Sequence, residues 1–186
     1  DSRRLMTLVC KDMGVDSQRF TPRAVLAAVS RLKDQLIDHE EAARRASNPS
    51  EEIYAEAYGH YQQRLRAANA MDFDDLIMNT VHLFQAWPQV RETYRRRFEH
   101  VLVDEYQDTN HAQYSLIREL CGETADLMVV GDSDQSIYAF RGADIRNILE
   151  FEEDFPNATT ILLEQNYRST QNILTAANSV ISRNTD

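Results

Sequence analysis

The chain has 186 residues, of which 42% are hydrophobic, and this is enough apolar material for one core of ordinary size or two small ones. Its two cysteines, Cys10 and Cys121, lie far apart without C-x-x-C spacing, which favours free thiols in a cytoplasmic, reducing compartment. No apolar run approaches the length of a membrane span and no signal segment is recognisable, so we expect no membrane association. The net charge of −10 argues at first sight against a nucleic-acid partner. It is an average over the whole chain, however, and basic residues cluster locally at Arg91 and Arg95–Arg97.

Residues before about position 100 have a helical hydrophobic period. The two apolar stripes are Val25, Leu26, Val29, Leu32 and Leu36, and then Tyr54, Tyr58, Tyr61 and Leu65. Thr21-Pro22 and Asn48-Pro49 each place a capping side chain before a proline at the first helical position. A third helix is expected from a cap at Asp72 until Pro88 interrupts it. Tyrosines at helical spacing favour a packed core over a platform for stacking bases, although both interpretations are open.

Three apolar runs follow, and each stops at a polar residue. The first ends at Asp104 and Glu105, the second at Asp132, and the third, over 160–164, at Glu164. Runs of this kind are typical of buried parallel strands, and helix-length segments separate them. We therefore expect an α/β fold with right-handed crossovers, in which the carboxyl ends of the strands line one crevice. Nucleotide hydrolases of this class place a metal-binding aspartate and a water-activating residue there.

Two further helices are expected beyond the second and third strands. Asp144 is a candidate cap for one, and Ser169 is a candidate cap for the other. Their apolar stripes are Ile145, Ile148 and Leu149, and then Ile173, Leu174, Ala177 and Val180.

Three segments together resemble a known family. DEYQDTN (104–110), VVGDSDQSIYAFRGAD (129–144) and LLEQNYRST (162–170) are similar to motifs II, III and IV of the superfamily 1A DNA helicases, the UvrD, PcrA and Rep group. MDFDDLI (71–77) resembles the segment that precedes motif II in that family. Separated motifs in family order make a chance match very unlikely.

The resemblance implies a domain organisation. Residues 1–68 would be part of a mostly α-helical 1B-like subdomain. Residues 69–186 would be part of the RecA-like 1A ATPase domain, a parallel sheet of the P-loop NTPase type with flanking helices. None of the five glycines begins or ends a G-x-x-x-x-G-K-[ST] loop, which in the family lies upstream and cradles the nucleotide phosphates.

The chain would then be an interior fragment of a longer ATP-dependent 3′-to-5′ helicase. The parent would hydrolyse ATP with Mg²⁺ and move along single-stranded DNA on 3′-tailed duplexes, in DNA repair or replication and with further protein partners. With only half of an ATP site, the fragment is expected to have little or no ATPase activity and weak nucleotide and DNA binding. Incomplete sheet edges would leave apolar surface exposed, so self-association is also expected.

Motif matches imply the roles of five residues in ATP hydrolysis. Asp104 would hold Mg²⁺, and Glu105 would orient or deprotonate the attacking water. Gln135 would sense the terminal phosphate, because a neutral amide can donate a hydrogen bond without adding charge. Tyr167 would stack on adenine. Arg168 would bind the γ-phosphate, since a guanidinium stays charged and pairs bidentately with phosphate oxygens.

Motif III also supplies the candidate DNA contacts, Tyr138, Phe140 and Arg141. Aromatic faces stack on unpaired bases regardless of sequence, and a guanidinium pairs with phosphate. The family most often has tryptophan at the position of Phe140, so the role would be kept over a smaller stacking area. In the alternative interpretation, Tyr138 and Phe140 pack the loop against the sheet.

Two other functions are compatible with parts of the pattern. A non-catalytic module could reuse the fold to bind DNA or protein. A metal-dependent nuclease could use Asp104, Asp108, Asp132 and Asp134 as a two-metal cluster. The nuclease would not need Gln135, Tyr167 or Arg168, so metal-dependent cleavage of DNA without nucleotide would be its sign.

Overall fold

The computed structural model describes residues 1–122 and 126–183, without the side chain of Arg141. Its elements in chain order are α1 (Ser2–Met13), α2 (Pro22–Asp34), α3 (His39–Arg45), α4 (Pro49–Ala67), α5 (Phe73–Ala86), α6 (Pro88–Arg97), β1 (His100–Val103), α7 (His111–Cys121), β2 (Asp126–Val129), α8 (Arg146–Leu149), α9 (Phe151–Asp154) and α10 (Gln171–Ile181). The fold is therefore mixed α/β and mostly helical, with a small parallel sheet of β1 and β2. Among the described helices, none combines the length and the apolar character that a membrane span requires.

Capping side chains set the starts of the long helices, as the sequence predicted. The Thr21 hydroxyl accepts a hydrogen bond from the backbone N–H of Ala24, and the Asn48 side chain accepts two from the first turn of α4. Asp72 and Asp75 form a reciprocal capping box at the start of α5. Each cap satisfies an N–H group that has no partner within its helix, and such caps stabilise by about 1 kcal/mol.

The larger core lies among the first four helices. The tyrosine stripe of α4 belongs to it, because Tyr58 and Tyr61 are fully buried, and the prediction of a packed core is confirmed. The Tyr58 hydroxyl donates a hydrogen bond to the carbonyl of Ile37 at 3.3 Å. The buried members of this cluster are Met6, Val9, Cys10, Phe20, Val25, Val29, Ile37, Ala42, Ala55, Ala57, Tyr58, Tyr61 and Leu65.

A buried ion cluster fastens α2 to the start of α5. The ammonium of Lys33, which has no exposed surface, lies 2.7 Å from a carboxylate oxygen of Asp72 and 2.8 Å from one of Asp75. It also lies over the rings of Tyr58 and Tyr61, at 5.6 and 5.2 Å from their centroids. Burial opposes ionisation of Asp72, but the hydrogen bonds from Lys33 and the Asp75 backbone, with the charge of Lys33, outweigh it, so the pKa of Asp72 is lowered.

Helix α6, which carries the basic cluster, packs on α7 through two of its arginines. Arg91 pairs with the Glu119 carboxylate at 2.9 Å, and Arg95 donates to the Glu119 carbonyl at 2.7 Å. Arg96 and Arg97 are exposed. Part of the basic cluster is thus neutralised by a helix–helix contact.

The sheet pairs β1 with β2 in parallel, with Val101 opposite Leu127 and Val103 opposite Val129. Side chains of these strands alternate between half-buried and exposed, as expected for a sheet with one covered face. The covered face belongs to a second buried cluster, whose members and packed neighbours are Tyr106, Ile117, Cys121, Val101, Val103, Tyr114, Leu127, Val129, Ile148 and Phe151.

The prediction of a third strand over 160–164 is wrong. Residues 158–166 have no regular secondary structure, and the side chains of Ile161, Leu162 and Leu163 are exposed. An apolar run becomes a strand only where a neighbouring strand takes up its backbone hydrogen bonds, and the run itself does not reveal whether that neighbour is in place.

The predicted caps of the last two helices both lie one residue too early. The Asp144 carboxylate accepts a hydrogen bond from the backbone N–H of Arg146 at 3.0 Å, but the N-cap of α8 is Ile145. The cap at Ser169 is wrong in the same way, because α10 begins one residue later, after Thr170. The Asn166 side chain accepts from the N–H of Ser169 at 2.9 Å, which holds Ser169 in a turn before the helix.

Candidate functional site

Polar residues from two loops meet at the carboxyl edge of the sheet. Asp104 and Glu105 follow β1, and the loop from Asp132 to Gln135 follows β2. Parallel pairing puts both strand ends at the same edge. The pairing continues past the strands, because the backbone N–H of Tyr106 donates to the carbonyl of Val130 at 3.0 Å. The two loops are therefore held together where they leave the sheet.

The chain turns sharply at Glu105. This residue has a φ of +51°, in the left-handed region that residues other than glycine seldom adopt. Its backbone N–H donates to the Asp104 carboxylate at 2.8 Å, which supports the turn. Two adjacent carboxylates on a regular strand would point to opposite faces, so this turn allows both to serve one site.

The two carboxylates line a cavity of about 330 Å³ between the end of β1 and α7. The remaining lining residues are Val103, Asp108, Thr109, Gln113, Leu116 and Ile117. One carboxylate oxygen of Asp108 is buried and has no hydrogen-bond partner among the described residues. Among the side chains that the structure describes, Asp104 and Glu105 form no ion pair. A second cavity, of about 420 Å³, lies on α3 and α4 and contains none of these acids.

The carboxylate oxygens at this edge suit a Mg²⁺ ion that is held mainly by a bound nucleotide. Magnesium prefers oxygen ligands and in nucleotide sites is held by one or two carboxylates together with phosphate oxygens and water. Asp104, an exposed carboxylate at the strand end, meets that requirement. In the described part of the chain, no three histidine, cysteine or acidic side chains converge on a point that could hold a metal. The two-metal cluster of the nuclease alternative therefore has no support here.

Gln107 links the two loops, and the sequence interpretation did not identify it. This side chain is fully buried. Its amide nitrogen donates to the Glu105 carboxylate at 2.8 Å, and its amide oxygen accepts from the backbone N–H of Asp132 at 3.1 Å. The Asp132 carboxylate in turn accepts from the side-chain amide of Gln135 at 2.7 Å. A continuous set of hydrogen bonds thus joins Glu105 to Gln135.

The loop with the candidate DNA contacts is fastened to motif II. The backbone N–H of Asp144 donates to the Thr109 carbonyl at 3.0 Å, and the Asn147 amide donates to the same carbonyl. The rings of Tyr138 and Phe140 lie 5.9 Å apart and are tilted by 47°, and 77% of Phe140 is exposed. The side chain of Arg141 lies outside the described part of the structure.

The structure does not bring Tyr167 and Arg168 to the carboxylates. Both are exposed, Tyr167 by 93%. Asn166 accepts from the backbone N–H of Arg168, and no ion pair of Arg168 is found within the described residues. The physical reason is that the segment before them is not a strand of the sheet, so the sheet does not fix their position.

Asp34, at the end of α2, is a second residue that sequence reasoning missed. Its carboxylate accepts from the Asn110 amide at 2.8 Å, next to motif II. A Cβ at Gly142, where φ is +87°, would lie 3.1 Å from its other oxygen. Burial, and then the charge of Asp74, raise the pKa of Asp34 to about 6. A polar residue at the end of an amphipathic helix gives no sequence signal for such contacts.

The chain is similar to known proteins along its whole length. Residues 1–156 match the model of the UvrD/REP helicase N-terminal domain. The chain is 59% identical to the ATP-dependent DNA helicase UvrD1 of Mycobacterium leprae, over 99% of the chain and 25% of that protein. It is 50% identical to the ATP-dependent DNA helicase PcrA of Staphylococcus epidermidis, over 100% of the chain and 26% of that protein. The chain thus spans about a quarter of the length of these curated relatives.

Proposed function

Because this chain belongs to the UvrD/REP helicase family, we propose that it is a section of the ATP-hydrolysing motor of a DNA helicase. The observation that carries the proposal is the meeting of Asp104 and Glu105 with the loop of Asp132 and Gln135 at one sheet edge. The names of its relatives describe ATP-dependent DNA helicases. We propose the 3′-to-5′ direction, a role in repair or replication and a cytoplasmic location from the family resemblance.

Each residue of the edge has a place in the proposed hydrolysis. Mg²⁺, when bound with ATP, would neutralise charge on the β- and γ-phosphates. Asp104 would hold that ion, and Glu105 would orient the attacking water and accept its proton. Gln135 donates to the terminal phosphate and leaves its bond to Asp132 when it does so. Asp108, with a buried oxygen in the same cavity, completes the polar lining.

Tyr167 and Arg168 take part only after a rearrangement. We propose that Tyr167 stacks on adenine and Arg168 pairs with the γ-phosphate once both side chains move to the edge of the sheet. Their exposure in this structure leaves both side chains accessible for such a movement. Arginine suits the role because it stabilises charge that develops on the transferred phosphoryl group.

We propose that the loop of Tyr138, Phe140 and Arg141 binds single-stranded DNA. Phe140 presents an exposed aromatic surface, and the tilted ring of Tyr138 lies beside it. The loop shares its attachment point, Thr109, with the segment that carries the hydrolytic acids. This arrangement supports a coupling between DNA contact and nucleotide state.

The proposal is tested by ATP hydrolysis stimulated by single-stranded DNA. The full-length protein that contains this chain should hydrolyse ATP, and Glu105→Gln or Arg168→Ala should each abolish turnover. The 186-residue chain alone should be inactive, since it has no G-x-x-x-x-G-K-[ST] loop. An inactive full-length protein would instead favour the non-catalytic binding module.

We also propose that the 186-residue chain self-associates. The side chains of Ile161, Leu162 and Leu163 are all exposed, and contiguous apolar surface of this kind promotes association. Light scattering should give a mass above that of a monomer, and Leu162→Lys with Leu163→Lys should reduce it. A monodisperse monomer would contradict this.

A further inference from the structure

We propose that Gln107 is a positioning residue that sets the orientation of the Glu105 carboxylate according to the state of the loop after β2. The inference rests on the proposed function of Glu105 as the residue that activates water. Gln107 does not line the cavity, so it would act through Glu105 rather than on the substrate.

The side-chain amide is satisfied at both ends by partners from different loops. Its nitrogen donates to the Glu105 carboxylate at 2.8 Å, and its oxygen accepts from the N–H of Asp132 at 3.1 Å. Glutamine is suited to this position because one amide both donates and accepts. Complete burial makes each bond costly to lose, because water cannot replace the lost partner of a buried polar group.

Packing around Gly131 fixes this amide further. A Cβ at Gly131 would lie 2.8 Å from the amide oxygen of Gln107 and 2.7 Å from the terminal methyl of Ile148. Real Cβ atoms do not approach other atoms so closely, so any larger residue at Gly131 must push Gln107 away. Glycine is needed here for close approach to the amide.

The geometry predicts how movement would pass between the loops. Asp132 accepts from Gln135, so a change in Gln135 on sensing the terminal phosphate alters the segment whose N–H holds Gln107. Gln107 then carries that change to the carboxylate of Glu105, which already lies on a left-handed turn. A shift of about 1 Å at a catalytic group can change its rate about 100-fold.

The test compares Gln107→Met with Gln62→Met in the full-length protein. Methionine keeps the length and volume of the side chain and removes both hydrogen bonds. Gln62 is a matched control, because it is also buried and donates to a carboxylate, Asp75 at 3.1 Å, but within the helical part. The readouts are kcat and KM for ATP, with and without single-stranded DNA, after a melting curve for each variant.

We expect Gln107→Met to lower kcat about 10- to 100-fold, to leave the KM for ATP within about twofold and to remove most of the stimulation by DNA. Gln62→Met should keep the kcat and the stimulation of the unmodified protein. Gly131→Ala, which displaces Gln107 from the opposite side, should reproduce the loss of kcat. An unchanged kcat in Gln107→Met, or an equal loss in Gln62→Met, would overturn the proposal.

Hydrogen–deuterium exchange separates this inference from the proposed function. The segment around Asp132 should exchange faster in Gln107→Met than in the unmodified protein, because the N–H of Asp132 loses its acceptor. Faster exchange in a full-length protein that has no ATPase activity would support the link between Gln107 and the loop after β2 but reject the proposed function. Unchanged exchange would reject the link itself.

Discussion

Two groups of acidic residues in this chain have opposite environments. Asp72 and Asp75 are buried around the ammonium of Lys33, at 2.7 and 2.8 Å. Asp104 and Glu105 are exposed at the sheet edge and form no ion pair within the described residues. The first group has its charge balanced inside the protein and holds two helices together. The second leaves its charge for a ligand, and this difference separates structural acids from candidate catalytic ones.

The largest effect on stability should come from removing the buried cation. Lys33→Met leaves two buried carboxylates without a positive partner, and breaking a buried pair in this way costs about 3–5 kcal/mol. Urea unfolding of the 186-residue chain measures it. Arg44→Met is the control, because Arg44 pairs with Glu41 on the surface, and it should change the unfolding free energy little. Similar unfolding free energies for the two variants would contradict a structural role of the buried ion cluster.

A smaller effect is expected at the DNA loop. Phe140→Ala should weaken binding of an oligothymidylate to the full-length protein by about 1–3 kcal/mol, because stacking on one base contributes that much. Phe140→Trp should bind at least as tightly as the unmodified protein. Fluorescence anisotropy measures the affinity for the oligothymidylate. The control variant is Phe98→Ala, which removes a partly exposed ring from the end of α6. An unchanged affinity in Phe140→Ala would favour packing of the loop as the role of this ring.

The smallest effect concerns Asp34, which lies between the two environments. Its pKa is raised to about 6, so the folded protein binds this proton more tightly than the unfolded chain does. The carboxylate therefore destabilises the fold above pH 6, and the penalty is relieved as the pH falls toward 4. Asp34→Asn should raise the melting temperature at pH 7.5 and leave it unchanged at pH 4. A lower melting temperature at both pH values would show that the bond to Asn110 needs the negative charge.

Local signals in the sequence predicted the helical part well. Asn48 and Asp72 cap their helices because a side-chain acceptor before a periodic apolar segment has one geometric use. The end of β1 at Val103 was also predicted, since an apolar run that stops at an acid marks a strand end, whereas β2 ends at Val129, before the predicted Asp132. The third strand was wrong for a different reason. The run at Ile161–Leu163 has strand composition, but pairing depends on a distant neighbour that the run does not encode.

The site was predicted in part for the same reason. Asp104 and Glu105 directly follow β1, and Gln135 lies in the loop after β2, so strand positions locate them. Gln107 lies in a single turn of 3₁₀ helix, and its two partners belong to loops more than twenty residues apart. Such a link depends on the close approach of Gly131, which only the folded structure reveals.

The most direct test of the account is to separate ATP binding from hydrolysis at Glu105. In the full-length protein, Glu105→Gln should bind a fluorescent ATP analogue with Mg²⁺ within about twofold of the unmodified affinity, because the amide keeps the shape of the side chain. Single-turnover hydrolysis should fall at least about 100-fold, since the amide cannot accept the proton of water. Normal hydrolysis in Glu105→Gln, or loss of binding together with hydrolysis, would contradict the assignment of this acid to the chemical step.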